Sequence, residues 1–284
     1  MRIGEALDRT DLRHPPFLVP YLLVDRGRRR ELAATVTALR DGGATAIELG
    51  FPFSDPIADG PVLEAASGRA LRAGTDWSDL LGSLRAASPI LPTAVMTYAN
   101  PVWRHGFAPA LAGLRDAGAS GLIVPDLSYE ESAPWRAATR RAGLDLILLA
   151  APGASPDRVE RIARHSRGFL YLVSRYGTTG GGATQAAQEL APLIAAAHRA
   201  APGLAVLVGF GVRNRKSRDA ALESGADGVI VGTALEERLA RGMSPRSVRQ
   251  WTARLSGRAN VPAPDGVGYG REHDRSDTPK AGPH

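Results

Sequence analysis

The sequence predicts an α/β protein built as one (β/α)8 TIM barrel, and three observations carry that expectation. Eight short apolar runs alternate with amphipathic segments, as strands buried on both faces alternate with helices. A glycine-centred phrase recurs at Asp41-Gly42-Gly43-Ala44-Thr45-Ala46-Ile47, Asp116-Ala117-Gly118-Ala119-Ser120-Gly121-Leu122 and Glu223-Ser224-Gly225-Ala226-Asp227-Gly228-Val229. Each copy stops an amphipathic segment at glycine and feeds an apolar run, the way a helix ends and hands over to a buried parallel strand. The length of 284 residues suits one barrel. The structural rival, an open doubly wound sheet, usually carries a dinucleotide fingerprint after its first strand, and none is present.

Taken in order, the strands are expected at 17–24, 45–49, 93–98, 121–124, 144–150, 169–173, 205–208 and 228–231. Helical patterns fall at 29–40, 108–117, 131–142, 156–165, 189–200 and 217–224, and a further helix is expected to start at Thr233. Residues 1–16 form an N-terminal segment with charges throughout, 17–255 the catalytic barrel, and 256–284 a tail with almost no large apolar residues. That tail reads as disordered, because it cannot bury enough surface to offset its chain entropy.

An apolar share of 44% fits an ordinary globular protein. The absence of cysteine excludes disulfides, thiolate metal sites and a cysteine nucleophile. No signal peptide or membrane span is visible, so a cytoplasmic location is expected and a membrane partner is not. The formal charge of +6 comes from residues scattered along the helical patterns, with dense groups only at 28–30 and 213–218. Both groups read as solvated helix faces with a bias toward small anions; no zinc finger or aromatic-interleaved basic patch supports nucleic-acid binding.

In a barrel, residues just past strand ends gather on one rim. The candidates there are Glu48, Asp59, Tyr98, Asn100, Asp126, Tyr171, Thr179, Gly180, Gly211, Gly232 and Thr233. Glu48 ends an apolar run where a buried strand normally carries no charge, and Asp59 stands at the far side of a proline-rich loop. A salt bridge or capping role is the plain reading of such a carboxylate. Acid/base chemistry is the sharper one, since an apolar mouth raises a carboxyl pKa toward neutrality. Gly209-Phe210-Gly211, Gly232-Thr233 and Gly180-Gly181-Gly182 follow the last three strands. As a set they suit backbone N–H groups closing on a phosphate, aided by the helix start at Thr233; singly, each glycine only allows a turn. The segment 175–182 has the composition of a hinged lid, with the Thr179 hydroxyl able to latch it onto Asp59.

The string Pro52-Phe53-Ser54-Asp55-Pro56-Ile57-Ala58-Asp59-Gly60-Pro61 resembles the signature of the tryptophan synthase alpha chain family. The resemblance runs from about Phe17 to about Arg241. It includes Met96-Thr97-Tyr98-Ala99-Asn100-Pro101, Pro125-Asp126-Leu127, Tyr171-Leu172-Val173-Ser174-Arg175, Gly209-Phe210-Gly211 and Val231-Gly232-Thr233-Ala234. It implies retro-aldol cleavage of indole-3-glycerol phosphate to indole and glyceraldehyde 3-phosphate, without a cofactor. By position, Glu48 would be the acid/base at indole C3, and Asp59 would stabilise the charge on the indole nitrogen. Tyr171 would line the site and help position Glu48. Tyr21, Ile123 and Phe210 would form the indole pocket, plain core packing being the rival role for Ile123. Gly180, Gly211, Gly232 and Thr233 would hold phosphate.

Neither Lys216 nor Lys280 falls on a strand, which speaks against a Schiff-base aldolase, and the six histidines lack ligand spacing at strand ends, which speaks against a metal site. The family's implied partner is a pyridoxal-phosphate-containing beta chain. A stand-alone lyase releasing free indole and a non-catalytic partner of a beta chain are the alternatives. Departures from the family pattern lie at Val24-Asp25-Arg26, Glu64, Ser128, Tyr176 and Gly181-Gly182.

Overall fold

The computed structural model describes residues 3–7, 16–151, 153–174, 183–209 and 211–258, with only the backbone described for 183–188. Eight parallel strands close into a barrel in chain order: β1 (Phe17–Leu23), β2 (Ile47–Gly50), β3 (Thr93–Met96), β4 (Gly121–Ile123), β5 (Asp145–Ala150), β6 (Phe169–Val173), β7 (Ala205–Gly209) and β8 (Gly228–Val231). Closure is made by β1 against β8, with Phe17 opposite Gly228 and Val19 opposite Ile230. Every expected strand is present, its ends shifted by no more than two residues.

The described helices are α1 (Ile3–Ala6), α2 (Leu32–Asp41), α3 (Pro61–Arg72), α4 (Trp77–Ala87), α5 (Ala99–Arg104), α6 (Phe107–Asp116), α7 (Ser132–Ala142), α8 (Pro156–His165), α9 (Ala183–Ala200), α10 (Arg215–Glu223), α11 (Thr233–Ala240) and α12 (Pro245–Ser256). The sequence patterns did not anticipate α1, α3, α4, α5 and α12. Gly68 inside α3 and Gly82 inside α4 weaken the helical signal, while α3 emerges directly from a proline-rich loop that reads as irregular. Its start is nonetheless favourable, because Pro61 at the first turn needs no N–H partner.

Alternation along the strands sorts side chains into two cores. Leu18, Leu22, Ile47, Leu49, Val95 and Leu122 face the helices, whereas Phe17, Val19, Tyr21, Ala94, Met96, Ile123, Ile147, Phe169, Tyr171, Leu207 and Ile230 fill the barrel. Glu48 takes the inward parity, since its register partners are Tyr21 on one side and Ala94 on the other. The amino end of the barrel is plugged by α1, whose Ile3 is fully buried and abuts Gly121 and Gly168.

The altered segment after β1 is held by charge. Asp25 caps a 3-10 turn at Arg26–Arg28, and Arg26 pairs with Asp79 at 2.9 Å. Arg28 meets the buried Glu236 at 2.7 Å, whose other oxygen accepts the Leu23 N–H at 2.9 Å. The arginine groups therefore differ from a plain solvated face: Arg28 is partly enclosed, and Arg218 is buried, donating to the Leu255 carbonyl at 2.5 Å. Their long stems and forked donors let them serve packing and charge together.

Candidate active site

The inner face of the barrel carries Glu48 on β2 in its interior, while the buried Asp145, of the same inward parity on β5, lies by Gly4 and Gly168 at the amino end. Glu48 is 0% exposed, and neither carboxyl oxygen has a hydrogen-bond partner among the described residues. Burial, followed by the nearby Asp59 charge, pushes its pKa from the ordinary 4.5 up to about 8. At neutral pH the group is therefore mostly protonated, which also lowers the cost of leaving it without partners.

Two phenols share that interior. Tyr21 and Tyr171 are both buried, and burial leads the causes that raise their pKa well above 10.0, with the Glu48 and Asp59 charges adding to it. Their rings explain two strand-end glycines: a Cβ at Gly50 would collide with the Tyr21 phenol, and one at Gly209 with the Tyr171 ring. Glycine is required at both places by close approach.

At the carboxyl end of the barrel lies a cavity of about 330 Å³, walled by Tyr21, Asp59, Leu63, Met96, Tyr171, Ile230, Gly211, Arg213, Gly232 and Thr233 among others. Its size and mixed lining suit a small ligand with an apolar body and a charged end. Asp59 has its pKa raised from 3.8 to about 6, first by burial and then by the Glu64 charge on α3. The two carboxyls thus favour opposite states near pH 7, Glu48 protonated and Asp59 ionised.

The loop bearing Asp59 is shaped by a local turn, Asp59 N–H to the Pro56 carbonyl at 3.0 Å. It is joined to the rim by Tyr98, whose hydroxyl accepts the Ala58 N–H at 3.0 Å and whose ring stacks on Phe53 at 4.9 Å. Burial pushes the Tyr98 pKa up to about 12. The other rim candidates serve α5 instead: Asp126 accepts the Ala99 N–H at 3.0 Å, and Asn100 lies within the helix.

On the opposite wall α11 starts at Thr233, as its sequence suggests, and its N-cap Gly232 offers no side-chain hydrogen bond. The Gly232 carbonyl accepts the N–H groups of Leu235 at 2.9 Å and Glu236 at 3.0 Å, so the first turn of α11 begins at the cavity wall, where Gly232 and Thr233 lie. Gly211 adopts φ +81°, a conformation that favours glycine, so its turn is one reason for the residue. Arg213 stands beside it, with one guanidinium nitrogen 2.7 Å from Glu237.

Of the sequence-predicted residues, Tyr21, Asp59, Tyr171, Gly211, Gly232 and Thr233 meet at this cavity. Glu48 and Ile123 are enclosed within the barrel rather than on the cavity wall. Thr179, Gly180 and Phe210 lie outside the described residues. Met96, Leu63 and Ile230 were not singled out from sequence; the inward parity of Met96 and Ile230 was the available signal. Among the described residues no group of three or more His, Asp or Glu could hold a metal, and no helix is long and apolar enough to cross a membrane.

A family model described as the tryptophan synthase alpha chain matches residues 9–262. The alpha chain of Chloroflexus aggregans is 43% identical over 243 residues, covering 84% of this chain and 90% of that protein. That of Methanosarcina acetivorans is 39% identical over 232 residues, covering 82% and 84%. Among solved structures, tryptophan synthase from M. tuberculosis matches with a TM-score of 0.79 at 34% identity, over 92% of this chain and 99% of that one. The tryptophan synthase complex from Pyrococcus furiosus matches with a TM-score of 0.75 at 31% identity, over 86% and 99%. With the barrel closed, one carboxyl buried inside it, another on the cavity wall and this likeness over most of its length, the chain belongs to the tryptophan synthase alpha chain family and cleaves indole-3-glycerol phosphate to indole and glyceraldehyde 3-phosphate.

Proposed function

We propose that Glu48 and Asp59 divide the work of this cleavage, one moving protons and the other holding charge. Indole is a poor carbanion leaving group, so the reaction starts by protonating ring carbon C3. Protonated Glu48 donates there, and the positive charge that develops on the indole nitrogen is met by ionised Asp59. The bond between C3 and the glycerol carbon then breaks, its electrons restoring the aromatic ring, while the glycerol hydroxyl loses its proton to the Glu48 carboxylate and becomes the aldehyde. One proton enters and one leaves, so Glu48 ends as it began. The observation that carries this reading is the placement of Asp59 on the cavity wall with the buried Glu48 inside the barrel near enough to feel its charge, the two pKa values raised to about 6 and about 8.

Tyr171 lines the site and limits where the Glu48 side chain can go. Tyr21, together with Met96 and Leu63, forms the apolar seat of the indole ring, with Ile123 packed behind them. Gly211, Gly232 and Thr233 receive the phosphate on backbone donors at the start of α11. Phe210, Gly180 and the Thr179 latch complete the site in the same proposal.

A beta chain is the proposed partner. The exposed apolar residues Ile57 (81%) and Trp103 (53%) support it, since each offers uncovered apolar surface on the side of the Asp59 loop and α5. A cytoplasmic location goes with a phosphorylated substrate, whose charge opposes passage through a bilayer. Indole release by the purified protein, with Asp59→Asn as the variant and with or without an added beta chain, tests the reading. Loss of activity in the variant and a faster rate with the beta chain are expected; an unaffected variant removes Asp59 from the mechanism, and an unchanged rate favours a lyase acting alone.

A further inference from the structure

We infer that Tyr98 is the positioning residue for Asp59, an inference that rests on the proposed role of Asp59 in stabilising charge. Between Pro52 and Gly60, among the described residues, one hydrogen bond ties the loop to a different strand end, and it is Ala58 N–H to the Tyr98 hydroxyl at 3.0 Å. The remaining bonds are local: Ile57 N–H to Asp55, Asp59 N–H to Pro56, Ser54 to Asp55, and Glu64 N–H to Gly60 at the start of α3. Local turns fix the shape of the loop but not where it sits over the barrel. Ala58 immediately precedes Asp59, so the Tyr98 hydroxyl pins the Ile57–Ala58 peptide one residue ahead of Asp59 and thereby places the chain from which its carboxyl projects.

The stack of the Tyr98 ring on Phe53, 4.9 Å between centroids at 25°, holds the other limb of the same loop. Tyr98 itself is anchored, 4% exposed and at the N-cap of α5 directly after β3. Ile57, on the other side of Ala58, is 81% exposed, so its side chain adds no packing that could substitute for the phenol. A group meant to meet a charge in the transition state must be held to about 0.5 Å, and a 1 Å displacement can cost roughly a hundredfold. Tyr98 supplies that constraint without touching substrate.

The test is a cycle of Tyr98→Phe, Asp59→Asn and the double variant, read by steady-state indole release giving kcat and KM, alongside hydrogen exchange of the peptide spanning 53–62. Phenylalanine keeps the stack and removes only the hydroxyl. One neutral hydrogen bond corresponds to about a three- to tenfold loss in kcat with KM within about twofold, and to faster exchange in the loop at an unchanged melting temperature. In the Asp59→Asn background the same substitution should add no further loss. Parental kcat in Tyr98→Phe, unchanged exchange at 53–62, or a full additional loss in the double variant each overturns the inference while leaving the role of Asp59 intact. Parental activity in Asp59→Asn alone overturns both.

Discussion

Glu48, inside the barrel as the second residue of β2, and Asp59, on the wall of the cavity, are close enough that the charge of Asp59 is the second cause, after burial, of the raised Glu48 pKa. The charge of Asp59 therefore helps keep the proton on Glu48 that the reaction consumes first. One consequence is a bell-shaped pH dependence. Activity should rise as Asp59 ionises through about pH 6 and fall as Glu48 loses its proton through about pH 8. A kcat/KM profile from pH 5 to 9.5 checks it, and Asp59→Asn should remove the acidic limb.

The same displacement has a stability consequence of definite sign. Glu48 binds its proton more tightly in the folded state, about 8 against an ordinary 4.5, so the folded state holds the extra proton between those values. Stability is then fully present below about pH 4.5 and is lost as pH rises toward 8, at up to roughly 1.4 kcal/mol per pH unit. Glu48→Gln has no proton to lose there. Its melting temperature relative to the parent should climb from pH 5 to about 8 and then level off, and thermal unfolding at several pH values measures the trend.

Gly232 tests the phosphate site more cleanly than Gly211, because φ +81° at Gly211 strains any side chain whatever the ligand. At Gly232, φ is −107° and a Cβ would sit 3.3 Å from the Tyr21 Cβ, a contact that small shifts relieve. Gly232→Asp should therefore fold, yet place a carboxylate at the open N-terminus of α11. Losing two charge-assisted hydrogen bonds, each about 1.5 to 3 kcal/mol, raises KM by at least about a hundredfold. Calorimetric titration with glycerol phosphate gives the answer, and unchanged affinity would return the glycine to a plain turn role.

Strand positions were legible because barrel strands are buried on both faces and read as apolar runs, with glycine at the handover from helix to strand. Helices α3 and α4 were not, each carrying an internal glycine, and α12 was missed although Val248, Thr252 and Leu255 recur on one face of it. Glu48 and Asp59 stood out as charges beside apolar runs. The tie from Tyr98 to Ala58 could not be read, because it joins residues 40 apart across two strand ends and depends on three-dimensional placement alone. Gly209 read as one of a glycine set closing on phosphate or else as a turn residue, whereas its cause, like that of Gly50, is the bulk of a buried tyrosine.

The central claim, that Glu48 is the proton carrier, is tested most directly by steady-state indole release from indole-3-glycerol phosphate by purified Glu48→Gln. The amide keeps the size of the side chain and cannot exchange the proton. The expected result is a fall in kcat of about 10² to 10⁴ with glycerol phosphate binding and the fold retained. Activity within a few-fold of the parent would contradict the claim and leave the buried carboxyl without a role in the reaction.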